Sequence, residues 1–152
     1  MTTEPDIDIS PLRLNHAREF APLIADYAQA LKRGAPRRPD GFYAETLLQD
    51  RAAEILGARL DGRLVGFLIF YDLPEPVSGL RQGQVDHIYI SDAFRGQGIA
   101  KAMIDLLCEE SESRGWNKLV LNAPRLPDLG RKLYEKIAAA GDWSSFVIRF
   151  DH

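Results

Sequence analysis

Arg95-Gly96-Gln97-Gly98-Ile99-Ala100 joins an apolar strand to an amphipathic helix, and that placement describes an anion site. Val85 to Ile90 leads in with β-branched and aromatic residues. From Ile99 the apolar positions Ile99, Met103, Leu106 and Leu107 fall on one helical face. The turn therefore ends on a helix start, where the first backbone N–H groups have no intrahelical acceptor and the macrodipole is positive. Gly96 and Gly98 lack a Cβ, so the chain can bend through unusual φ/ψ values and let a bulky anion approach closely. Arg95 adds a forked cation.

Other glycine-rich turns fit less well. A dinucleotide fingerprint needs Gly where Lys101 stands and an acid ending the next strand, and a Walker-type loop needs Gly-Lys-Ser/Thr; none of these occurs. A plain strand-to-helix turn stays open on these six residues alone.

The segment matches R/Q-x-x-G-x-G/A. With His87-Ile88-Tyr89-Ile90 before it and Phe94-Arg95-Gly96 leading in, it resembles the acetyl-CoA-binding segment of the GNAT N-acetyltransferases. Leu133-Tyr134-Glu135-Lys136, on a helix after the next strand, is similar to that family's tyrosine-bearing helix. The resemblance covers residues 83 to 137, and the flanks by layout. It implies acetyl-CoA as co-substrate and no metal. It also implies two parallel strands that splay apart, between Ile88-Tyr89-Ile90 and Leu119 to Asn122, to take the pantetheine arm. The pyrophosphate would rest on the N–H groups of Arg95, Gly96, Gln97, Gly98, Ile99 and Ala100. Lys101 would stand beside it, and Asn122 and Tyr134 near the arm.

Acyl transfer sets two proton problems. An alkylamine with a pKa of ~10.4 is protonated at pH 7 and must lose a proton before it attacks a thioester, and the leaving thiolate needs one back. Leu129, Leu133 and Ile137 mark a buried helical stripe, and Tyr134 lies about 100° round from Leu133, at its edge. Tyr134 is the candidate acid. The family often has a glutamate where Gln84 stands. Asp86, two residues on and hence on the same strand face, is the candidate base; His87 points to the opposite face and ranks behind it. Pro127 replaces the family's asparagine, with Asn122 or Asp128 as stand-ins. Gly130 replaces its alanine, and Ala138 to Ala140 displace its Gly-Phe and predict a lengthened last helix with short terminal strands.

The elements needed to hold these residues read as one α+β domain over residues 1–152. Strands are expected at Ile7–Leu14, Ala53–Leu60, Leu64–Tyr71, Val85–Ile90, Lys118–Ala123 and Phe146–Phe150. Helices are expected from Asn15 to Lys32, Phe42 to Arg51, Ile99 to Gly115 and, capped by Asp128, to about Ala140. Asp61-Gly62 is a hairpin turn and Asp72 to Gly83 a loop. This β-α-α-β-β-β-α-β-α-β order matches the GNAT fold, a mixed, mostly antiparallel sheet with two splayed parallel central strands and about four helices.

A chain of 152 residues can bury about two thirds of its unfolded surface. A net charge of −3 supplies no basic field for DNA, and the longest apolar run, Val65 to Tyr71, is too short to span a membrane. The start Met1 to Asp6 lacks a basic or apolar leader, so a cytoplasmic protein is expected. Cys108, the sole cysteine, reads as a small buried hydrophobe. The acceptor is expected to be a small amine or a protein lysine, recognised by Arg37 and Arg38 if anionic or by Asp72, Glu75 and Asp86 if cationic. A homodimer is compatible with this reading. Alternatives are a non-catalytic acyl-CoA sensor or interaction module, and an enzyme acting on a protein N-terminus or on aminoacyl-tRNA.

Overall fold

The computed structural model describes residues 6–31 and 41–151. Its five-stranded sheet runs in chain order, β1 (Ile7–Pro11), β2 (Glu54–Leu60), β3 (Arg63–Glu75), β4 (Leu80–Ile90) and β5 (Trp116–Leu121). All neighbours are antiparallel except β4 and β5, which are parallel. The helices are α1 (Ala17–Ala30), α2 (Gly41–Gln49), α3 (Ile99–Arg114) and α4 (Arg131–Ile137).

Period-two alternation along β3 divides the core. Phe67 and Ile69 pack with Phe20, Ile24 and Tyr27 of α1 on one face. Leu68 and Phe70 pack with Met103, Ile104 and Leu107 of α3 on the other. With helices on both faces, β3 is buried continuously from Leu64 to Phe70, as its unbroken apolar run requires.

Several boundaries differ from expectation. β1 stops at Pro11, which has no N–H for a further ladder bond, and α1 starts after a 3-10 turn at Leu14–His16. His16, not Asn15, is its N-cap, and the His16 Nδ1 accepts from the Arg13 N–H at 2.9 Å. The expected loop Asp72–Gly83 is a continuation of β3 and β4 into a hairpin, paired from Asp72↔Gly83 to Glu75↔Leu80. Glu75 closes it: its carboxylate accepts from the Ser78 N–H at 2.7 Å and the Val77 N–H at 3.2 Å. These bonds hold its carboxyl below the usual range. Gly130 holds the N-cap position of α4, while the Asp128 carboxylate, two residues earlier, accepts from the first-turn Lys132 N–H at 3.3 Å; the helix ends at Ile137 instead of lengthening, and Ala138 is already extended. No strand forms at Phe146–Phe150; residues 138–151 carry no helix or strand. Cys108 is exposed, not buried. Arg37 and Arg38 lie outside the described residues.

Candidate active site

Where β5 leaves β4, a cleft opens. The two strands pair only from Arg81↔Trp116 to Val85↔Leu121, and the last link is the Asn122 N–H donating to the Val85 carbonyl at 2.9 Å. Beyond it β4 runs on from Asp86 to Ile90 with α4 beside it instead of a strand. The wall predicted at Leu119 to Leu121 is thus a paired ladder, and the gap begins at Asn122. A cavity of about 260 Å³ fills the space, walled by Ile88, Ile90, Leu129 and Leu133 and floored by the Gly96 and Gly98 turn. Tyr89, Ala100 and Lys101 also border it, as does Arg95.

Each glycine in this wall has a backbone reason. Gly96 and Gly98 both have φ of +78°, a left-handed conformation in which a Cβ costs about 1–2 kcal/mol, and a Cβ at either would meet open space. Gly98 is the N-cap of α3, and the first intrahelical bond runs from the Ala102 N–H to its carbonyl at 3.0 Å. The N–H groups of Ile99, Ala100 and Lys101 precede that bond and point toward the cleft end of the helix. Gly130 has φ of +108°, and a Cβ there would sit 3.2 Å from Ile88 Cγ2 and 3.4 Å from Tyr134 Cζ. Its bareness lets α4 close on β4. The sequence offered this signal, a glycine just before a helix, but not the approach it serves.

The charged residues around the turn are partly engaged. Arg95 donates Nε–H to the Ile90 carbonyl at 3.0 Å, pairs with Asp92 at 2.9 Å and lies over the Tyr89 ring. Lys101 pairs with Asp105, one helical turn on, at 2.8 Å, and both are more than half exposed. Gln97 is exposed at the rim, and Ile99 is buried beneath the turn. A second, more polar cleft of about 640 Å³ continues past Tyr89, Arg95 and Leu129 toward Asp26 and Gln29 of α1.

Tyr134 projects from α4 into the cluster that holds Val85 and Ile88, with its ring end behind Gly130, which lines the cavity. Its ring is buried, and its hydroxyl has no hydrogen-bond partner. Burial pushes the phenol's pKa well above the usual tyrosine value, and Tyr27 adds a smaller push the same way. The group stays a protonated donor aimed at nothing the protein supplies.

Asp86 is the residue after the last β4–β5 pair and sits in a β-bulge: Phe70 faces Val85, Ile69 faces His87, and Asp86 is skipped. Its carboxylate accepts from Asn122 Nδ2 at 2.7 Å and from Gln84 Nε2 at 3.1 Å. Gln84, too weak a base to take a proton, holds the carboxylate in place. The bulge also overturns the expected separation of Asp86 from His87. His87 Nδ1 meets the Tyr27 hydroxyl at 2.8 Å on the α1 side of the sheet. Burial first, and then the charge of Asp86, raise the pKa of Tyr71, which packs against that same α1-side core.

The acidic loop residues are spoken for. Asp72 pairs with Arg81 at 2.8 Å and Arg114 at 3.4 Å, which offset its burial and hold its carboxyl below the usual range. Arg114 also binds Glu54 and Glu110 and stacks on Phe70 and Trp116. Neither Asp72 nor Glu75 is available to a cationic acceptor.

A splayed parallel strand pair, a glycine turn on a helix N-terminus and a buried tyrosine on the next helix are what the sequence resemblance requires of one site. The model of the Acetyltransferase (GNAT) family matches residues 20–139. The chain belongs to that family. Its solved neighbours include a ribosomal-protein-alanine N-acetyltransferase from Brucella melitensis biovar Abortus 2308. That protein is 72% identical over 95% of this chain and 100% of its own, with a TM-score of 0.89. An aminoglycoside acetyltransferase from an uncultured soil metagenomic sample shares the fold at 24% identity and a TM-score of 0.77, over 96% of this chain and 99% of its own. Among curated relatives, N-acetyltransferase 8 of Rattus norvegicus is 28% identical over 68% of this chain and 46% of its own length. N-acetyltransferase 8B of the same species is 32% identical over 51% of this chain and 35% of its own. The chain thus spans between a third and a half of the length of these two relatives. The family and the relatives named here are acetyltransferases by description. Among the described residues no helix is long and apolar enough to cross a membrane, and no group of three or more His, Cys, Asp or Glu is placed to hold a metal.

Proposed function

We propose that this chain moves an acetyl group from acetyl-CoA to a primary amine by direct attack of the amine. The observation that carries this reading is the Tyr134 hydroxyl, buried, protonated and without a partner among the described residues, on a ring that ends behind Gly130 in the cleft wall. A donor left unsatisfied costs about 1–3 kcal/mol, and a sulfur leaving group at that point would accept its proton.

The residues present fit the co-substrate. The N–H groups from Gly96 to Lys101 and the Arg95 fork would hold the pyrophosphate. The unpaired edge of Ile88, Tyr89 and Ile90 would bond the pantetheine amides, and Asn122 stands where the arm reaches the end of β5. Bound there, acetyl-CoA supplies an activated thioester. Asp86, oriented by Asn122 and Gln84, takes the proton from the incoming ammonium directly or through one water, and the freed lone pair attacks the carbonyl carbon. As the carbon–sulfur bond breaks, Tyr134 donates its proton to the departing sulfur, the new amide nitrogen releases its second proton to solvent, Asp86 returns the first one there, and Tyr134 regains a proton from solvent.

The sequence favours a small amine or a lysine side chain as acceptor. A second reading is the α-amine of a protein N-terminus, and two observations favour it. The 72% identical Brucella protein is described as acting on a ribosomal-protein alanine. The loop acids that would have recognised a polyamine are paired or used as caps. An α-amine, with a pKa of ~8, also asks less of a base than an alkylamine at ~10.4.

Thiol release from acetyl-CoA separates these cases when measured against a panel of Ala-, Ser- and Met-initiated peptides, an Nα-blocked lysine peptide, spermidine and an aminoglycoside. Turnover confined to free α-amines is the expected result. Tyr134→Phe should lower kcat by about 10²-fold or more while leaving acetyl-CoA affinity unchanged. No thiol release with any amine, with acetyl-CoA still bound, would replace this reading by that of an acyl-CoA sensor.

A further inference from the structure

After α4 the chain runs on as an exposed arm without helix or strand. Residues 138–151 are exposed throughout. The arm nevertheless carries Trp143, 87% exposed, and Phe146, 93%, with Val147 and Ile148 next to it at 69% and 81%. Phe146-Val147-Ile148 is a strand-forming run, and an exposed apolar patch of this kind marks a surface meant for another surface.

The same molecule holds the complement. Among the described residues β5 is an edge strand, paired with β4 on one side and with no strand on the other. Such an edge presents a row of N–H and C=O groups ready for a further strand. Its apolar residues Leu119, Val120 and Leu121 are only half-buried, so both faces of the edge are partly uncovered. The opposite edge, β1, ends in Pro11, which cannot donate.

We infer that two copies of this chain exchange their C-terminal arms, the segment around Phe146–Ile148 of each adding to β5 of the other in a two-fold dimer. Donor and acceptor lie on every chain, so reciprocal exchange satisfies both arms and both edges and closes the assembly. The lengths agree: extended at ~3.3 Å per residue, residues 142–150 reach about 30 Å, against about 20 Å for the six residues of β5. The areas agree too. Trp143 and Phe146 each bury about 150–250 Å², so four aromatics remove about 600–1,000 Å² before the surfaces they cover are counted. Counting both sides reaches the ~1,200–2,000 Å² of a specific stable interface.

The exchange bears on the site, and this step rests on the function proposed above. β5 runs directly into Asn122, which holds Asp86 at 2.7 Å. A partner strand along β5 would put the other copy's arm beside that pair and form the far wall of the acceptor cleft, where the chain's own terminal strand is absent.

Sedimentation and light scattering of the full chain at about 10–100 µM test the dimer without reference to activity. The wild type should run as two chains and Phe146→Asp/Ile148→Asp as one. Hydrogen exchange of the wild type gives a second, independent readout: β5 amides that do not bond to β4 should be protected at high concentration and lose protection, by about 10-fold or more, on dilution into the monomer range. A wild type that is monomeric at 100 µM would overturn the inference, as would a dimer that survives the double substitution. So would a dimer in which those outer-edge amides exchange freely.

Discussion

Tyr134 has the pKa of an acid that never loses its proton in the physiological range. Because burial raises the phenol, its donor form persists at every pH below the shifted value, and the usual tyrosine value of ~10 is already a lower bound. At saturating peptide, where kcat reports the bound complex and not the ionisation of the free amine, kcat should show no falling limb up to pH 10. A fall setting in at pH 9 in wild type but absent in Tyr134→Phe would show that the phenol ionises in the working range and remove it as the acid. The same variant should unfold at a temperature no lower than wild type, since the hydroxyl it deletes has no partner to lose. Tyr134 was singled out by its likeness to the family's tyrosine-bearing helix, whereas the stripe of Leu129, Leu133 and Ile137 misplaced it at an edge: Tyr134 is the buried side chain of α4, Leu133 is half-buried and Ile137 is 40% exposed. Asp86 was legible by type but not by direction. A period of two holds only for an unbroken ladder, and the bulge at Asp86 puts His87 against Tyr27 where alternation sends it to the other face.

At the scale of elements, the glycine turn and α3 form one device, and its two requirements can be separated. Gly98 at φ +78° needs no room inside the protein, since a Cβ there meets nothing within 4 Å. Gly98→Val should therefore cost about 1–2 kcal/mol of backbone strain, or a fall of about 2–8 °C in Tm, and leave a folded protein. Acetyl-CoA binding should fall by 100-fold or more by calorimetry, because the added branches occupy the space above the N–H groups. Gly79→Val is the matched control. Gly79 has φ +74° and equally open surroundings in the distant β3–β4 turn, so it should show the same strain with unchanged affinity. Equal affinity in the two variants would reduce residues 95 to 100 to an ordinary turn. Element types followed from periodicity, whereas element ends depended on local chemistry that periodicity does not carry. Glu75 turns an apparent loop into a hairpin by capping Val77 and Ser78, and Gly130 starts α4 two residues after the Asp128 that looked like its cap.

At the scale of the molecule, the sheet keeps two cores apart and the cleft is where they meet. Tyr89 and Leu129 belong to the α1 side, Ile88 and Tyr134 to the α3 side; the first three line the gap, and Tyr134 lies behind Gly130 in its wall. The β-α-α-β-β-β-α-β-α order was legible from the sequence because each element buries a face within its own chain. The final strand was not, since Phe146–Phe150 has strand-forming residues but pairs with no strand among the described residues. α4 is the least self-sufficient element of the site: seven residues fall well below the ~12–15 at which a helix is stable alone, and Tyr134 is its one buried side chain. A ligand touching β4, the α3 N-terminus and α4 together would tie that helix to the two it lies against. At 100 times its Kd, acetyl-CoA should add about 2.7 kcal/mol, or about 5–11 °C in Tm. The gain should be uneven. α4 amides, which exchange by local opening, should slow by a larger factor on ligand addition than β2 and β3 amides at the centre of the sheet, which open only with the whole fold. Protection gained equally in β2 and α4 would mean that α4 already opens only globally. Protection gained at the α3 N-terminus but not in α4 would place the ligand on the turn alone and detach Tyr134 from its thioester end.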